Sequence, residues 1–243
     1  MSGPARAPAR RIDDPPLAGA RNMALDEALL ELRLAPTLRF YRWARPTLSL
    51  GYFQRAAELP LAAVRARGGE VVRRSTGGKA ILHEGELTYS LCAPESGALA
   101  GGPTAATTAL HEALAAELGR QAGASVGLRR ATGLASDVAG SAWCFEDSSP
   151  LDLCLGGRKL LGSAARRRQG WVLFHGSLVL AVPAETPGVA ALGFDPDRDA
   201  LAEALGAALG YRFEPGGWAE EESAAAIEIA AARFDREAFT SRR

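Results

Sequence analysis

Cysteine and histidine are scarce in this chain of 243 residues: three of each, at Cys92, Cys144 and Cys154 and at His83, His111 and His175. An odd cysteine count without CxxC spacing argues against a disulfide framework and against a zinc site. Three scattered histidines make no metal motif, so no metal centre is expected. No apolar run approaches the roughly 20 residues that a membrane-crossing helix needs. The N-terminus (Pro4-Ala5-Arg6-Ala7-Pro8-Ala9-Arg10-Arg11) is basic but has no apolar secretory core. Basic and acidic residues balance at 28 each, so no excess charge favours nucleic acid or a membrane surface. These absences leave a cytoplasmic globular protein as the expectation, with neither nucleic acid nor membrane as partner.

Apolar residues make up 47% and charged residues 23%, which suits a chain with a substantial core. Residues 1–16, rich in Pro, Ala and Arg, read as a poorly ordered tail, and 17–243 as one domain. Leu25, Ala28, Leu29 and Leu32 recur at helical spacing within 21–32. Strands are expected at 38–43, 47–51, from Val71-Val72 to the glycine turn, 80–83, 87–92 and 171–182, with the fourth and fifth joined as a hairpin around Glu84-Gly85-Glu86. A short helix is expected at 60–66, a longer one from Thr104 ending at Gly119, and two more at 195–209 and 219–234, with a short strand at Tyr211–Phe213 between them. Residues 121–150 read as loop. Gly156-Gly157 between two alternating runs is a tight hairpin turn. Strand pairs mixed with helices, without regular βαβ alternation, indicate an α+β fold with mixed sheets.

The densest chemical signal is Arg73–Ser90, in which arginines and hydroxyls run into Gly77-Gly78. Glycines admit close backbone approach to a ligand, and arginines hold negative charge. It is not a Walker A loop, because Ala80 follows Gly78-Lys79 and Arg73 stands where the first glycine belongs. In the Gly156-Gly157 hairpin, Cys154 lies opposite Lys159, and a cation beside a thiol favours thiolate. The plain alternative is a packed cysteine under a snorkelling lysine. Cys144 lies in a loop, where a cysteine is better placed to meet substrate. Its neighbours Trp143 and Phe145 suit either a pocket lining or an anchor. Cys92 ends an apolar strand and reads as core.

Five segments occur in order: Arg21–Ala28, Ser49–Gln54, Arg73–Ser90, Gly157–Ala164 and His175-Gly176-Ser177. Together they resemble the lipoate/biotin protein ligase and octanoyltransferase superfamily over roughly residues 20–185. The resemblance implies a mixed sheet with helices, an acyl-binding tunnel, and a lysine at position 159 that contacts the acyl carbonyl or an acyl-adenylate. Cys144-Phe145, some dozen residues before Gly-Arg-Lys, is similar to the cysteine-dependent octanoyltransferase branch, which loads the acyl group on this cysteine. Departures are Lys79 in the glycine turn, no cysteine within 176–243, and little room after residue 185 for a ligase accessory domain.

What the resemblance implies is octanoyl transfer in lipoate biosynthesis, from acyl carrier protein to a lysine of a lipoyl-accepting protein. That acceptor would be a glycine-cleavage H-type protein or a dehydrogenase lipoyl domain. Cys144 would be the nucleophile and Lys159 would stabilise the oxyanion. Arg73, Arg74, Thr76, Gly77, Gly78, His83, Gly162, Ser163, Ala164 and His175 would bind substrate, with Tyr41, Leu48 and Val72 lining the tail. For His83 and His175 a structural role stands beside the functional one. No cofactor is expected; ATP and Mg enter only under the alternative, an ATP-dependent lipoate–protein ligase acting through lipoyl-adenylate. A non-catalytic carrier-binding protein is the third reading.

Overall fold

The computed structural model of the chain describes residues 5–129 and 133–242. Residues 1–4 and 130–132, from the expected tail and the expected long loop, lie outside them. In chain order the elements are β1 (Ala7–Asp13), α1 (Gly19–Leu32), β2 (Thr37–Tyr41), β3 (Thr47–Leu50), α2 (Leu61–Ala66), β4 (Glu70–Arg73), β5 (Ile81–His83) and β6 (Glu86–Pro94). They continue with α3 (Gly102–Ala122), β7 (Val126–Leu128), β8 (Leu153–Leu155), β9 (Arg158–Arg168), β10 (Trp171–Val179), α4 (Arg198–Leu209), β11 (Tyr211–Pro215), α5 (Glu220–Ile229) and α6 (Glu237–Thr240). Eight strands form one sheet in the order β11-β1-β2-β6-β10-β9-β8-β7, and β4-β3-β5 form a second. β1 runs parallel to both its neighbours, whereas pairing from β2 through to β7 is antiparallel. This is the expected α+β arrangement of mixed sheets packed with helices.

Three expectations need correction. The supposedly disordered tail contains β1, which is internal to the large sheet, with Ala9 and Ile12 buried. Arg10 of β1 also grips Glu222 and Thr37. Partners on both flanks come from distant sequence, so composition alone misses the strand. Second, β5 and β6 do not form a hairpin: β5 pairs with β3 in the small sheet, and β6 runs between β2 and β10. Glu84-Gly85 is the corner where the chain changes sheet. Third, α3 continues through Gly119 and stops at Gly123, whose φ of 59° is the left-handed conformation of a helix end.

The large sheet is covered on both faces. Leu87, Tyr89 and Leu91 of β6 and Phe174 of β10 pack with Leu110, Leu114 and Leu118 of α3 and Leu201 and Leu205 of α4. On the opposite face, Cys92 and Leu173 pack on Leu29 and Leu30 of α1. Strand alternation therefore turns Thr88, Ser90, His175 and Ser177 toward α1 and the small sheet. α1 is buried on most sides and carries Asn22, Asp26 and Glu27 inward. Buried charges need partners, and Arg39 serves Asp26 while Arg166 and Arg233 serve Glu27. The junction of α1, the small sheet and this polar face is where the candidate residues meet.

Candidate active site

Cys144 opens a 3₁₀ turn, Cys144–Glu146, in the stretch between β7 and β8. The turn is fastened to the residue that precedes β5. Cys144 N–H donates to the Ala80 carbonyl at 2.8 Å, and Ala80 N–H donates to the Ala142 carbonyl at 3.1 Å. The Gln54 amide donates to the same Ala142 carbonyl at 2.9 Å. Ser141 Oγ accepts Trp143 N–H at 3.0 Å and donates to Glu146 at 2.6 Å. Phe145 is buried with Ile81, Val179 and Val189, and Trp143 packs on the core of the small sheet. Both aromatics are anchors of the turn.

Lys159 comes from the hairpin. Gly156 and Gly157 have φ of 58° and 73°, the two positive values that a tight two-residue turn of this kind requires. The register pairs Cys154 with Lys159 as expected, but an irregularity interrupts it between Leu153 and Cys154. The lysine turns away from Cys154. Its Nζ lies 2.7 Å from Asp152 Oδ2. It also donates to the Cys144 carbonyl at 2.8 Å, the Asp147 carbonyl at 3.3 Å and Cys144 Sγ at 3.7 Å. Burial by itself would lower the Lys159 pKa, but the charges of Cys144 and Asp152 outweigh it and hold the ammonium above its ordinary value. For Cys154 the balance is opposite. Burial and then Asp152 push its thiol up, with Lys159 only opposing them. The hairpin thiol is therefore held toward its neutral form.

Cys144 borders a cavity of about 60 Å³. Gly162, Ser163 and Ala164 of β9 line it beside His175, Gly176 and Ser177 of β10. Register explains the meeting, since Gly162 pairs with Ser177, Ser163 with Gly176, and Ala164 with His175. Met23, Tyr41, Trp43 and Ile81 supply apolar wall, and Arg74 and Gly78 close the end contributed by the glycine turn. A Cβ on Gly162 would stand 2.9 Å from Lys159 Cε and 3.1 Å from Asp152 Oδ1, so any larger residue there would displace the lysine stem and crowd the carboxylate. Gly51 is needed for the same reason, because its Cβ would meet the Gly78 carbonyl at 1.7 Å.

Other expected site residues fall outside the cavity. Arg73 is fully buried and gives its guanidinium to the carbonyls of Gly51, Tyr52, Gln54, Phe239, Thr240 and Arg242. It clamps the C-terminal segment to the Gly51–Gln54 turn and has no donor left for a ligand. Thr76 is buried and holds His175 Nε2 at 2.6 Å. Gly77 offers its carbonyl to Arg74. Leu48 and Val72 belong to packed clusters of the small sheet and of α1, respectively; of the three proposed tail-lining residues, only Tyr41 reaches the cavity.

Arg74 binds the carbonyls of Ser49, Gly77 and Lys79 and borders the cavity as well. Burial pulls its guanidinium down to about 10, and charge on the Cys144 sulfur opposes that. The sulfur thus faces two cations, Lys159 and Arg74. His175 Nδ1 lies 3.5 Å from Asp26 Oδ2, and burial pushes this imidazole below its ordinary value, favouring the neutral ring. Burial would raise the Asp26 carboxyl, but Arg39, His175 and Ser90 together outweigh it and hold it below the usual carboxylate range. His83 gives Nδ1–H to Glu86 at 2.6 Å and stacks on Trp43 with ring centroids 3.9 Å apart, which leaves Nε2 for the cavity.

Sequence reasoning did not single out Asp152, Asp26 or Trp43. The available signals were a carboxylate within the apolar alternation of 151–155 and another on the leucine-rich face of the first helix. Trp43, two residues beyond β2, gave no such signal.

The sequence matches the family described as "Lipoyl protein ligase A/B catalytic domain" over residues 18–192. Octanoyltransferase LipM of Moorella thermoacetica is 47% identical over 167 residues, which cover 66% of this chain and 61% of that protein's length. Octanoyltransferase LipM of Symbiobacterium thermophilum is 37% identical over 262 residues, covering 93% of this chain and 95% of that one. In fold, the bipartite lipoate protein ligase of Thermoplasma acidophilum superposes with a TM-score of 0.75 at 22% identity, over 97% of this chain and 96% of that chain. With its motifs gathered on one cavity and its sequence matched across most of its length, this chain belongs to the lipoyl protein ligase A/B catalytic domain family.

Proposed function

We propose that this protein is an octanoyltransferase that carries its acyl group on Cys144. The observation that carries the reading is the Cys144 sulfur at the cavity wall with the Lys159 ammonium 3.7 Å away. The LipM relatives support the same acyl chemistry. The donor is the octanoyl thioester of acyl carrier protein. Cys144 thiolate attacks the thioester carbonyl, the tetrahedral intermediate collapses, and the carrier's thiolate departs. A lysine amine of a lipoyl-accepting protein, of the glycine-cleavage H type or a dehydrogenase lipoyl domain, then attacks the enzyme thioester. The C–N bond forms, the C–S bond breaks, and Cys144 thiolate returns. A thioester is already activated, so neither step consumes ATP.

Lys159 faces both tetrahedral intermediates, with the backbone N–H of Gly78, which borders the cavity, as a further donor to the oxyanion. The octyl chain lies against Met23, Tyr41, Trp43 and Ile81. The test is to incubate the protein with octanoyl acyl carrier protein, quench in acid and measure intact mass. One added octanoyl group, lost on treatment with hydroxylamine, is the expected result. No adduct, with lipoyl-adenylate formed instead from lipoate and Mg-ATP, would overturn it in favour of a ligase.

A further inference from the structure

Lys159 is more tightly confined than an oxyanion-stabilising lysine needs to be. Its side chain is 1% exposed and that of Asp152 is 7% exposed, so water contributes little to solvating the ammonium. Two negative groups compensate for its burial, the Cys144 sulfur and the Asp152 carboxylate. Acylation converts the sulfur to an uncharged thioester, and one of the two compensating groups is lost in mid-cycle. A buried lysine deprived of counter-charge releases its proton. The second half-reaction would then begin without its cation unless the carboxylate suffices.

We propose that Asp152 is a positioning residue that keeps Lys159 charged and aimed at position 144 while the sulfur carries the acyl group. The lysine then serves both half-reactions as a fixed cation and ferries no proton; the proton released by the acceptor amine passes to water at the mouth of the cavity. This rests on the reading that Cys144 bears the acyl group.

Asp152 is the only carboxylate within ion-pair range of Lys159 among the described residues. The other groups facing the ammonium offer no replacement. The Asp147 carboxylate pairs with Lys79 at 2.9 Å, leaving only its carbonyl for Lys159. Cys154 across the hairpin has its thiol pushed up, and His111 from α3 has its imidazole pushed down by burial, so both favour the neutral form. Arg74, beyond the sulfur, carries like charge. Asp152 is also held from several sides. Its Oδ2 accepts Ser149 N–H at 2.7 Å, and its carbonyl accepts Arg129 N–H at 2.9 Å. The preceding carbonyl, of Leu151, accepts Nδ1–H of His111, whose Nε2 accepts the Ser163 hydroxyl at 2.7 Å. The carboxylate is thereby tied to α3 and to β9, on which the lysine stands.

The chain contains two lysines, Lys79 and Lys159. Labelling with [ε-¹³C]lysine therefore gives two side-chain signals, and Lys79→Arg assigns them. The decisive titration uses Cys144→Ser, whose neutral hydroxyl stands in for the uncharged acylated sulfur. Lys159 is expected to stay protonated into the alkaline range in that protein and to lose its proton at clearly lower pH once Asp152→Asn is added, with Asp152→Glu restoring it. The same titration with and without Asp152, or a Lys159 already neutral in Cys144→Ser, overturns the proposal.

With Cys144 intact, single-turnover measurements separate the two half-reactions. Asp152→Asn is expected to slow transfer to the amine on the order of 10²-fold, and acylation much less, with transfer declining at alkaline pH where the parent does not. An equal loss in both steps with an unchanged pH profile would mean a merely structural role and would also overturn it. If the parent forms no acyl-enzyme, octanoyl transfer through Cys144 fails, and the lysine titration still decides what Asp152 does.

Discussion

Cys144 and Cys154 are ten residues apart and stand on two sides of one lysine, but the regions that carry them differ in kind. Cys154 belongs to a hairpin, directly across from Lys159, half-buried and bordered by Asp152. Cys144 belongs to a pinned 3₁₀ turn and opens on the cavity. By backbone adjacency the hairpin thiol should own the cation. The lysine stem is long enough to leave its cross-strand neighbour, and its donors go where acceptors converge: the Asp152 carboxylate and the carbonyls of the turn. The position of the cation thus follows the direction of its N–H groups. Proximity of Cα atoms does not decide it.

The comparison breaks most directly by removing each sulfur in turn. Cys144→Ala is expected to abolish the covalent octanoyl adduct, and Cys154→Ala to leave it at parental stoichiometry, both read by intact mass after an acid quench. Adduct formation that survives the first change and fails with the second would move the nucleophile to the hairpin. Next in size is the cation. Lys159→Met should slow acylation by about 10²–10³-fold, the cost of losing one preorganised oxyanion donor, measured in single-turnover acylation. Gly162→Ala should approach that loss without touching either partner, on the order of 10²-fold, because the new methyl sits where the lysine stem passes. An unaffected Gly162→Ala enzyme with an unchanged melting temperature would show that the lysine's path is unimportant.

Much of this site was legible in the chain because its motifs are local: the hairpin turn, the register of Cys154 with Lys159, and the Gly162–Ala164 and His175–Ser177 segments each follow from short spacing. Their union on one wall also follows, once β9 and β10 pair. What escaped is decided by long-range acceptors. Arg73 and Arg74 are adjacent in sequence and read alike, but one faces six carbonyls, half of them from the C-terminal segment, while the other lies against the cavity. No spacing rule foretells that Phe239, Thr240 and Arg242 come to residue 73. β1 was missed for the same reason, since both its partners are remote. The Glu84-Gly85 corner imitated a hairpin because turn chemistry is local, whereas membership of a sheet is not.

Arg73 sharpens the contrast from the stability side. Replacing it by Met strands several buried carbonyls and should cost about 2–4 kcal/mol, read as a fall in the urea midpoint. Because its clamp holds the Gly51–Gln54 turn and Gln54 holds Ala142, acylation should slow as well, though less than in Lys159→Met. Full acylation in a destabilised Arg73→Met protein would confine the clamp to folding. Asp26 adds a pH effect of known sign. Its carboxyl is held below the usual range in the folded state, so its contribution is present at neutral pH and is lost as pH falls through that depressed value. Asp26→Asn should flatten that acid loss in pH-dependent melts, alongside a lower stability at pH 7.

The smallest expected effect tests the hairpin alone. Cys154→Ala should change stability by no more than about 1 kcal/mol, since the half-buried sulfur's hydrogen bond to the Asp152 carbonyl is long, at 3.8 Å. In the parent, iodoacetamide followed by peptide mass analysis should label Cys154 slowly at neutral pH and faster as pH rises, because burial and the Asp152 charge hold its thiol up. Asp152→Asn removes the second of these causes and should bring Cys154 labelling to lower pH. The same substitution leaves Lys159 without its carboxylate, so a cation newly free to turn toward Cys154 would add to the shift. Labelling of Cys154 that outpaces Cys144 at neutral pH in the unaltered protein would reverse the assignment of the two regions.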